Sequence, residues 1–241
     1  RGGRADVRCH QTGTPQAVGD FVLVSAFGFR KPEDLPQALA LFPLDGVILF
    51  PRSVVSLNVF EPRYLNMVDD ALGGERLIGI IQPAAGEDGE PALHLADVGT
   101  VGRITAFSET DDGRYLITLT GVCRFDYEQE LEAGTPYRQA LVNYEPFAGD
   151  FRQANDSGID RLSLIASLKR YASLHGFNVD WNSVEQAPTE TVINVAAQLC
   201  PFDAAAKQAL LESITLEERA NALIALLEWD AAAGDEQRPI Q

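Results

Sequence analysis

Lysine is nearly absent from this chain of 241 residues: only Lys31, Lys169 and Lys207 occur. None follows a glycine, which excludes a Gly-Lys-Ser/Thr phosphate loop, because that lysine must reach the β and γ phosphates of a nucleotide. Lys169 and Lys207 fall on amphipathic helical stretches, where a solvated position suits them better than a place beside a serine nucleophile. Histidine is as rare: His10, His94 and His175 lie far apart, with no HExxH, GxSxG or zinc-deaminase spacing. Cys9, Cys123 and Cys200 form no CxxC and no Cys–His pair with metal-ligand spacing. An odd number of widely spaced cysteines fits a reducing compartment, and a cytoplasmic location is the expectation. No run of about 18 apolar residues occurs, so no membrane-spanning helix is expected. The early patch AVGDFVLVSAFGF is interrupted by Asp20 and followed by no small-x-small cleavage site, which makes it a poor signal peptide.

Positive charge is the next shortage. The chain has 19 Lys and Arg against 35 Asp and Glu, a net charge of −16. Residues 29–148 hold 9 basic and 19 acidic residues, and residues 149–241 hold 7 and 14, so neither half conceals a basic domain. Nucleic acid and anionic membrane surfaces are disfavoured as partners, because both are bound by clustered Lys and Arg. Asp69-Asp70, Asp111-Asp112 and Glu217-Glu218 are sequence neighbours whose side chains point apart, so they form no acid–base dyad. GEDGE (86–90) is too short for a calcium loop. No catalytic residue, metal site or cofactor is expected.

What is present is a change of hydrophobic period. Residues 1–28 show no sustained pattern and read as a loosely attached tail. From Leu39, ALALFPLDGVILFPRSVVSLNVF gives apolar runs broken by Asp45-Gly46 and Pro51-Arg52, as strands with tight turns do. A helix is expected over 62–72, begun by Pro62 and stopped by Gly73-Gly74. Strands are expected over 76–83, 98–109, 114–131 and 137–147, with a loop over 84–94 and a turn at Asp111-Asp112-Gly113. Six or seven strands around one helix predict a closed or nearly closed barrel, which hides sheet edges. After Asp150 the period becomes helical, with four helices over 159–174, 189–199, 204–212 and from Thr215 to about Ala232. Thr215 and Glu218 form a capping box. The resulting division is a tail (1–28), a barrel domain (29–148), a helical bundle (149–232) and a polar tail (233–241).

NVFEPRYLNMV (58–68) places an acid, a base and a phenol within four residues, which raises acid–base chemistry as a possibility. Helix grammar is the simpler account: Pro62 fits the first turn and Glu61 lies near the positive helix end. Arg63 and Tyr64 are expected to bridge to the barrel.

The stretch LFPLDGVILFPRSVVSLNVFEPRYLNMVDDAL (41–72) resembles the start of the Lon-protease substrate-binding (N-terminal) domain family in its LFPL, LFP and FEPRY phrases. VGTVGRITAFSETDDGRYLITLTGVCRFDYEQEL (98–131) is similar to the family's second segment, and KQALLESITLEERANALIALLE (207–228) to its closing helices. The resemblance covers roughly residues 29–230.

It implies an α+β fold: a PUA-like antiparallel β-barrel with an inserted helix, then a small C-terminal helical bundle. The family-motif residues are Phe60, Glu61, Pro62, Arg63, Tyr64, Gly113, Arg114, Tyr115, Gly121, Arg124 and Phe125, read as structural first and partner-contacting second. The implied function is a non-catalytic protein- or peptide-binding module without the AAA+ motor and peptidase of the full protease. Its partners are expected to be unfolded or extended polypeptide, or a protease or chaperone. An enzyme of hydrolytic type with a cleft between barrel and bundle is the alternative. An RNA-binding PUA-like protein ranks below it because of the acid excess.

Overall fold

The computed structural model describes residues 28–84 and 94–236. Six strands build one sheet: β1 (Ala38–Pro43), β2 (Val54–Val59), β3 (Leu77–Pro83), β4 (Leu95–Glu109), β5 (Tyr115–Leu131) and β6 (Gln139–Asn143). Helix α1 (Pro62–Gly73) lies between β2 and β3 in the chain. After a 3-10 helix at Glu145–Phe151 come α2 (Arg161–His175), α3 (Trp181–Gln186), α4 (Thr189–Leu199), α5 (Ala204–Glu212) and α6 (Leu216–Glu236). The N-terminal tail expected before Gly28, most of the 84–94 loop and residues 237–241 lie outside the described residues.

The expected antiparallel barrel is not what the sheet forms. The strand order is β2-β5-β4-β3-β1-β6, and β1 pairs with β3 in parallel, so the sheet is mixed. Long β5 serves two neighbours on one side. Tyr115–Thr120 pair with β2 and Asp126–Leu131 with β6, which leaves β2 as an edge. Both sheet faces are covered. In β3, Leu77 and Ile81 enter a core shared with the helices from α2 onward, while Ile78 and Ile80 enter a second core under α1. In β1, Leu39 and Leu41 divide from Phe42 in the same way. A strand covered on both faces loses its polar alternation, and LIGIIQP in β3 carries that signature.

The run Val47–Phe50 has strand composition but is not a strand. It threads between the cores instead: Ile48 and Phe50 point to the helical side, and fully buried Leu49 to the α1 side. Its ladder contact is an isolated bridge at Pro51–Gly121.

Among the helices, α4 and α5 have the expected bounds, and α3 is an addition. Its six residues, WNSVEQ, are too few to display a 3.6-residue period. Its local signal is Asp180, whose carboxylate accepts from the N–H groups of Asn182 and Ser183. Asp160 caps α2 in the same manner, and Gly176 ends it at φ 68°. The capping box at Thr215 forms: Glu218 N–H donates to Thr215 Oγ1, and Thr215 N–H donates to the Glu218 carboxylate, each at 3.1 Å. Lys207 is not solvated as expected. Its ammonium donates to the carbonyls of Gly46 (3.0 Å) and Gln198 (3.1 Å), tying α5 to the turn after β1 and to the end of α4.

Candidate functional site

The motif residues divide into two groups. The first gathers where β2 ends, α1 begins and the β4–β5 hairpin turns. Gly113 takes φ 76° in that turn, with open space around it, so glycine is required by the backbone and not by a neighbour. Arg114 pairs with Asp112 at 2.9 Å and stands 5.8 Å from the Phe60 ring centre. Tyr115 packs edge-on against Phe107 at 4.9 Å. A hydrogen bond to the Asp69 carboxylate pushes the Tyr115 phenol up. Phe60, Phe107 and Leu116 are each at least 40% exposed, large apolar groups at one end of the sheet.

Pro62 opens α1 as expected, but Glu61 does not cap it with its side chain. Its carboxylate instead accepts from Arg63 at 2.8–3.0 Å. Arg63 lies over the Tyr64 ring at 4.5 Å and stays half exposed, so it does not bridge to the sheet. Tyr64 does: it is buried, with its ring 4.4 Å from that of Phe42. Burial pushes the Tyr64 phenol up, which leaves it protonated and unfit as a base at neutral pH. An exposed ion pair between near neighbours contributes little. We therefore expect Arg63→Ala to change the unfolding free energy by less than about 1 kcal/mol, read by thermal melting.

A cleft of about 280 Å³ lies between α1 and the β5–β6 hairpin, lined by Arg63, Tyr64, Glu130, Tyr137 and Arg138 among others. Its charges are matched internally: Arg138 donates to both Glu130 oxygens at 2.6 Å. Tyr137 donates to Asp70 at 2.7 Å, and burial, aided by that bond, pushes its phenol up to about 12.

The second group, Gly121, Arg124 and Phe125, is internal. Arg124 in β5 is 3% exposed. Its backbone N–H and Nε donate to Asp150 Oδ2 at 2.9 and 3.0 Å, and Nη2 donates to Oδ1 at 2.8 Å. Its Nη1 donates to the carbonyls of Leu211 (3.0 Å) and Ser213 (2.5 Å), at the C-terminal end of α5. Phe125 is fully buried, and Gly99 makes room for its ring: a Cβ there would sit 2.5 Å from it.

Sequence reading missed Asp150 as the partner of Arg124, and two further arginines that tie the same region together. Arg52, held at φ 65°, donates to Glu190 on α4 and to the Asp150 carbonyl. Arg219 on α6 donates to Asn194 Oδ1 (2.8 Å) and the Leu210 carbonyl (3.1 Å), over the Phe50 ring at 4.2 Å. Burial, and then the charge of Arg124, pull Arg219 down to about 9. The guanidinium still remains charged at neutral pH. These contacts tie the sheet to the helices, and their donors are spent on protein acceptors. A signal was available: arginines inside otherwise apolar helices and strands, which are rarely buried unless paired.

Two thiols, Cys123 and Cys200, are buried among the described residues. Burial pushes Cys123 up and raises Cys200 to about 11, and both are free. Among the described residues, no three His, Cys, Asp or Glu side chains group as a metal site, and no helix is long and apolar enough to cross a membrane.

A family model described as the ATP-dependent protease La (LON) substrate-binding domain matches residues 38–228. The chain belongs to this family. The Lon substrate-binding match takes in β1 through most of α6, and it is a match to the protein-binding region and not to the motor or the peptidase. Lon protease 2 of Sorangium cellulosum is 33% identical over 117 residues, and Lon protease 2 of Myxococcus xanthus 31% over 117, each alignment covering 48% of this chain. The chain spans 14% of the length of these two curated relatives. The crystal structure of a Lon N-terminal domain protein from Xanthomonas campestris superposes with TM-score 0.56 at 24% identity, covering 79% of this chain and 98% of that one. The N-terminal domain of Mycobacterium avium complex Lon protease superposes with TM-score 0.53 at 14% identity and the same coverage. At these identities the two structures speak to the fold alone.

Proposed function

We propose that this chain captures unfolded or extended polypeptide, for its own sake or for a protease or chaperone partner. Membership in a substrate-binding family supports the reading. The observation that carries it is the exposed apolar group at the end of the sheet. Phe60, Phe107 and Leu116 stand open there, and Val54 at the other end of β2 is 55% exposed, on a chain of net charge −16 that elsewhere has charge to spare for its surface. The FEPRY and GRY residues serve this surface in two ways. Gly113, Pro62 and Tyr64 fix the backbone and the packing beneath it, while Phe60, Arg114 and Tyr115 face the partner. The buried free thiols Cys123 and Cys200 suit a reducing compartment, so we place the protein in the cytoplasm.

The test is titration of a fluorescent, reduced and alkylated unfolded protein into the full chain, followed by anisotropy. Saturable binding is expected, weakened by Phe107→Ser with Leu116→Ser. No binding by folded wild-type chain would overturn the reading.

A further inference from the structure

We propose that β2 is a docking strand: an extended segment with alternating apolar residues and a flanking Arg or Lys adds to its open edge. This rests on the polypeptide-binding reading and specifies where and how the segment is held.

The backbone of β2 presents free hydrogen-bonding groups on one side. In an antiparallel ladder, alternate residues turn both backbone groups toward one neighbour. Gly121 N–H donates to the Ser53 carbonyl at 2.9 Å, and Val54–Val59 run in unbroken register against Thr120–Tyr115. Val55, Leu57 and Val59 therefore face β5, as the Ser53 carbonyl does, while Val54, Ser56 and Asn58 turn their N–H and C=O groups to the open side. The Val54 carbonyl supports this direction, since Gln198 Nε2 approaches it at 3.5 Å from α4. No other strand among the described residues pairs with β2.

The edge also lacks the usual protection. Exposed edges are normally blunted by charge, proline, a bulge or a covering element. β2 reads VVSLNV, with no charge, no proline and no register shift. The face beside it is also uncharged: Ser56 meets Thr118 at 3.4 Å, and Leu116 lies opposite Asn58. At the start of β2, α4 adds exposed Val195 and Leu199. On the other face, Val55, Leu57 and Val59 belong to the core under α1, which an added apolar residue would extend.

Charge selects the occupant. At the Phe60 end, Glu61, Asp69, Glu109, Asp111 and Asp112 outnumber Arg63 and Arg114, so a basic residue fits there. A second copy would set −16 against −16 along this edge. Main-chain hydrogen bonds hold such a strand, and alternate side chains give it selectivity.

The probe is a labelled heptapeptide of alternating valine and threonine with arginine at each end, titrated into the full chain. A version with glutamate at each end should bind about tenfold more weakly at low salt. Ser56→Pro removes an N–H that β5 does not use, so the fold should persist while probe affinity falls by about tenfold or more. Amide exchange in wild type gives a readout independent of that variant. Ser56 and Asn58 should exchange fast in the free protein and slowly with the probe.

Undiminished probe binding by folded Ser56→Pro, or no probe-induced protection at Ser56 and Asn58, overturns the docking strand. Equal affinity for the glutamate peptide overturns the basic flank. Protection of both amides in the free protein means the edge is already taken, by a second copy if sedimentation shows a dimer and otherwise by this chain, and also overturns the proposal. Binding of unfolded protein that persists through any of these results leaves the polypeptide-binding reading standing. Loss of that binding in wild type removes both.

Discussion

Arg124→Ala is expected to lower the melting temperature by of order 10 °C, through a loss of about 3–5 kcal/mol in unfolding free energy. The loss comes from uncompensated charge. Arg124 and Asp150 are buried together, with side chains 4% and 9% exposed. Removing the guanidinium leaves the buried Asp150 carboxylate with one remaining donor from this position, the Arg124 backbone N–H. It also strands the Leu211 and Ser213 carbonyls. Those carbonyls close the end of α5, and Asp150 lies in the 3-10 helix after β6, so one truncation loosens three segments at once. Replacing both partners by apolar residues of similar volume should recover much of the loss, because the penalty belongs to the orphaned charge and not to the missing attraction. Urea unfolding of Arg124→Ala, Asp150→Asn and the double variant measures this. A loss under about 1 kcal/mol for Arg124→Ala would mean that the network is not what joins sheet to helices.

Gly121→Ala is expected to cost about 3 kcal/mol, at the upper end for overpacking by one methyl group. The added Cβ would stand 2.1 Å from the Phe50 carbonyl oxygen and 2.8 Å from its carbon. Both are backbone atoms, so no rotamer change relieves the clash. Moving the 50–53 segment away breaks two bonds that fix it: Arg52 N–H to the Gly121 carbonyl at 2.8 Å and Gly121 N–H to the Ser53 carbonyl at 2.9 Å. Arg52 then loses the left-handed conformation that aims its guanidinium at Glu190. Gly113→Ala is the control. It carries a positive-φ penalty with nothing to clash against, and should cost about 1 kcal/mol. Thermal melts of the two variants should separate clearly, and equal losses would contradict the close-approach account.

The helices were the most legible part of the fold, because caps and punctuation mark them locally: Pro62 opens α1, Asp160 and Asp203 cap α2 and α5, and Thr215 with Glu218 opens α6. The strands were legible as runs but not as a sheet. The barrel expectation came from counting strands, whereas the parallel β1–β3 pairing and the second covered face depend on contacts between residues such as Leu41 and Gly79, far apart in sequence. Val47–Phe50 misled because a segment threading between two cores alternates its side chains as a strand does. Among the motif residues, nothing local separates the internal Arg124 from the exposed Arg114: both precede an aromatic residue in the same strand region. The difference lies in Asp150 and the end of α5, 26 and 87–90 residues away.

The central claim is that unfolded polypeptide is held at the β2 edge and the adjoining hairpin end. Hydrogen exchange of the full chain with and without saturating unfolded protein tests it most directly. The account predicts new protection confined to residues 54–60 and 107–116. Protection appearing instead on the exposed helical faces, around Leu162 or Trp229, with residues 54–60 unchanged, would contradict it.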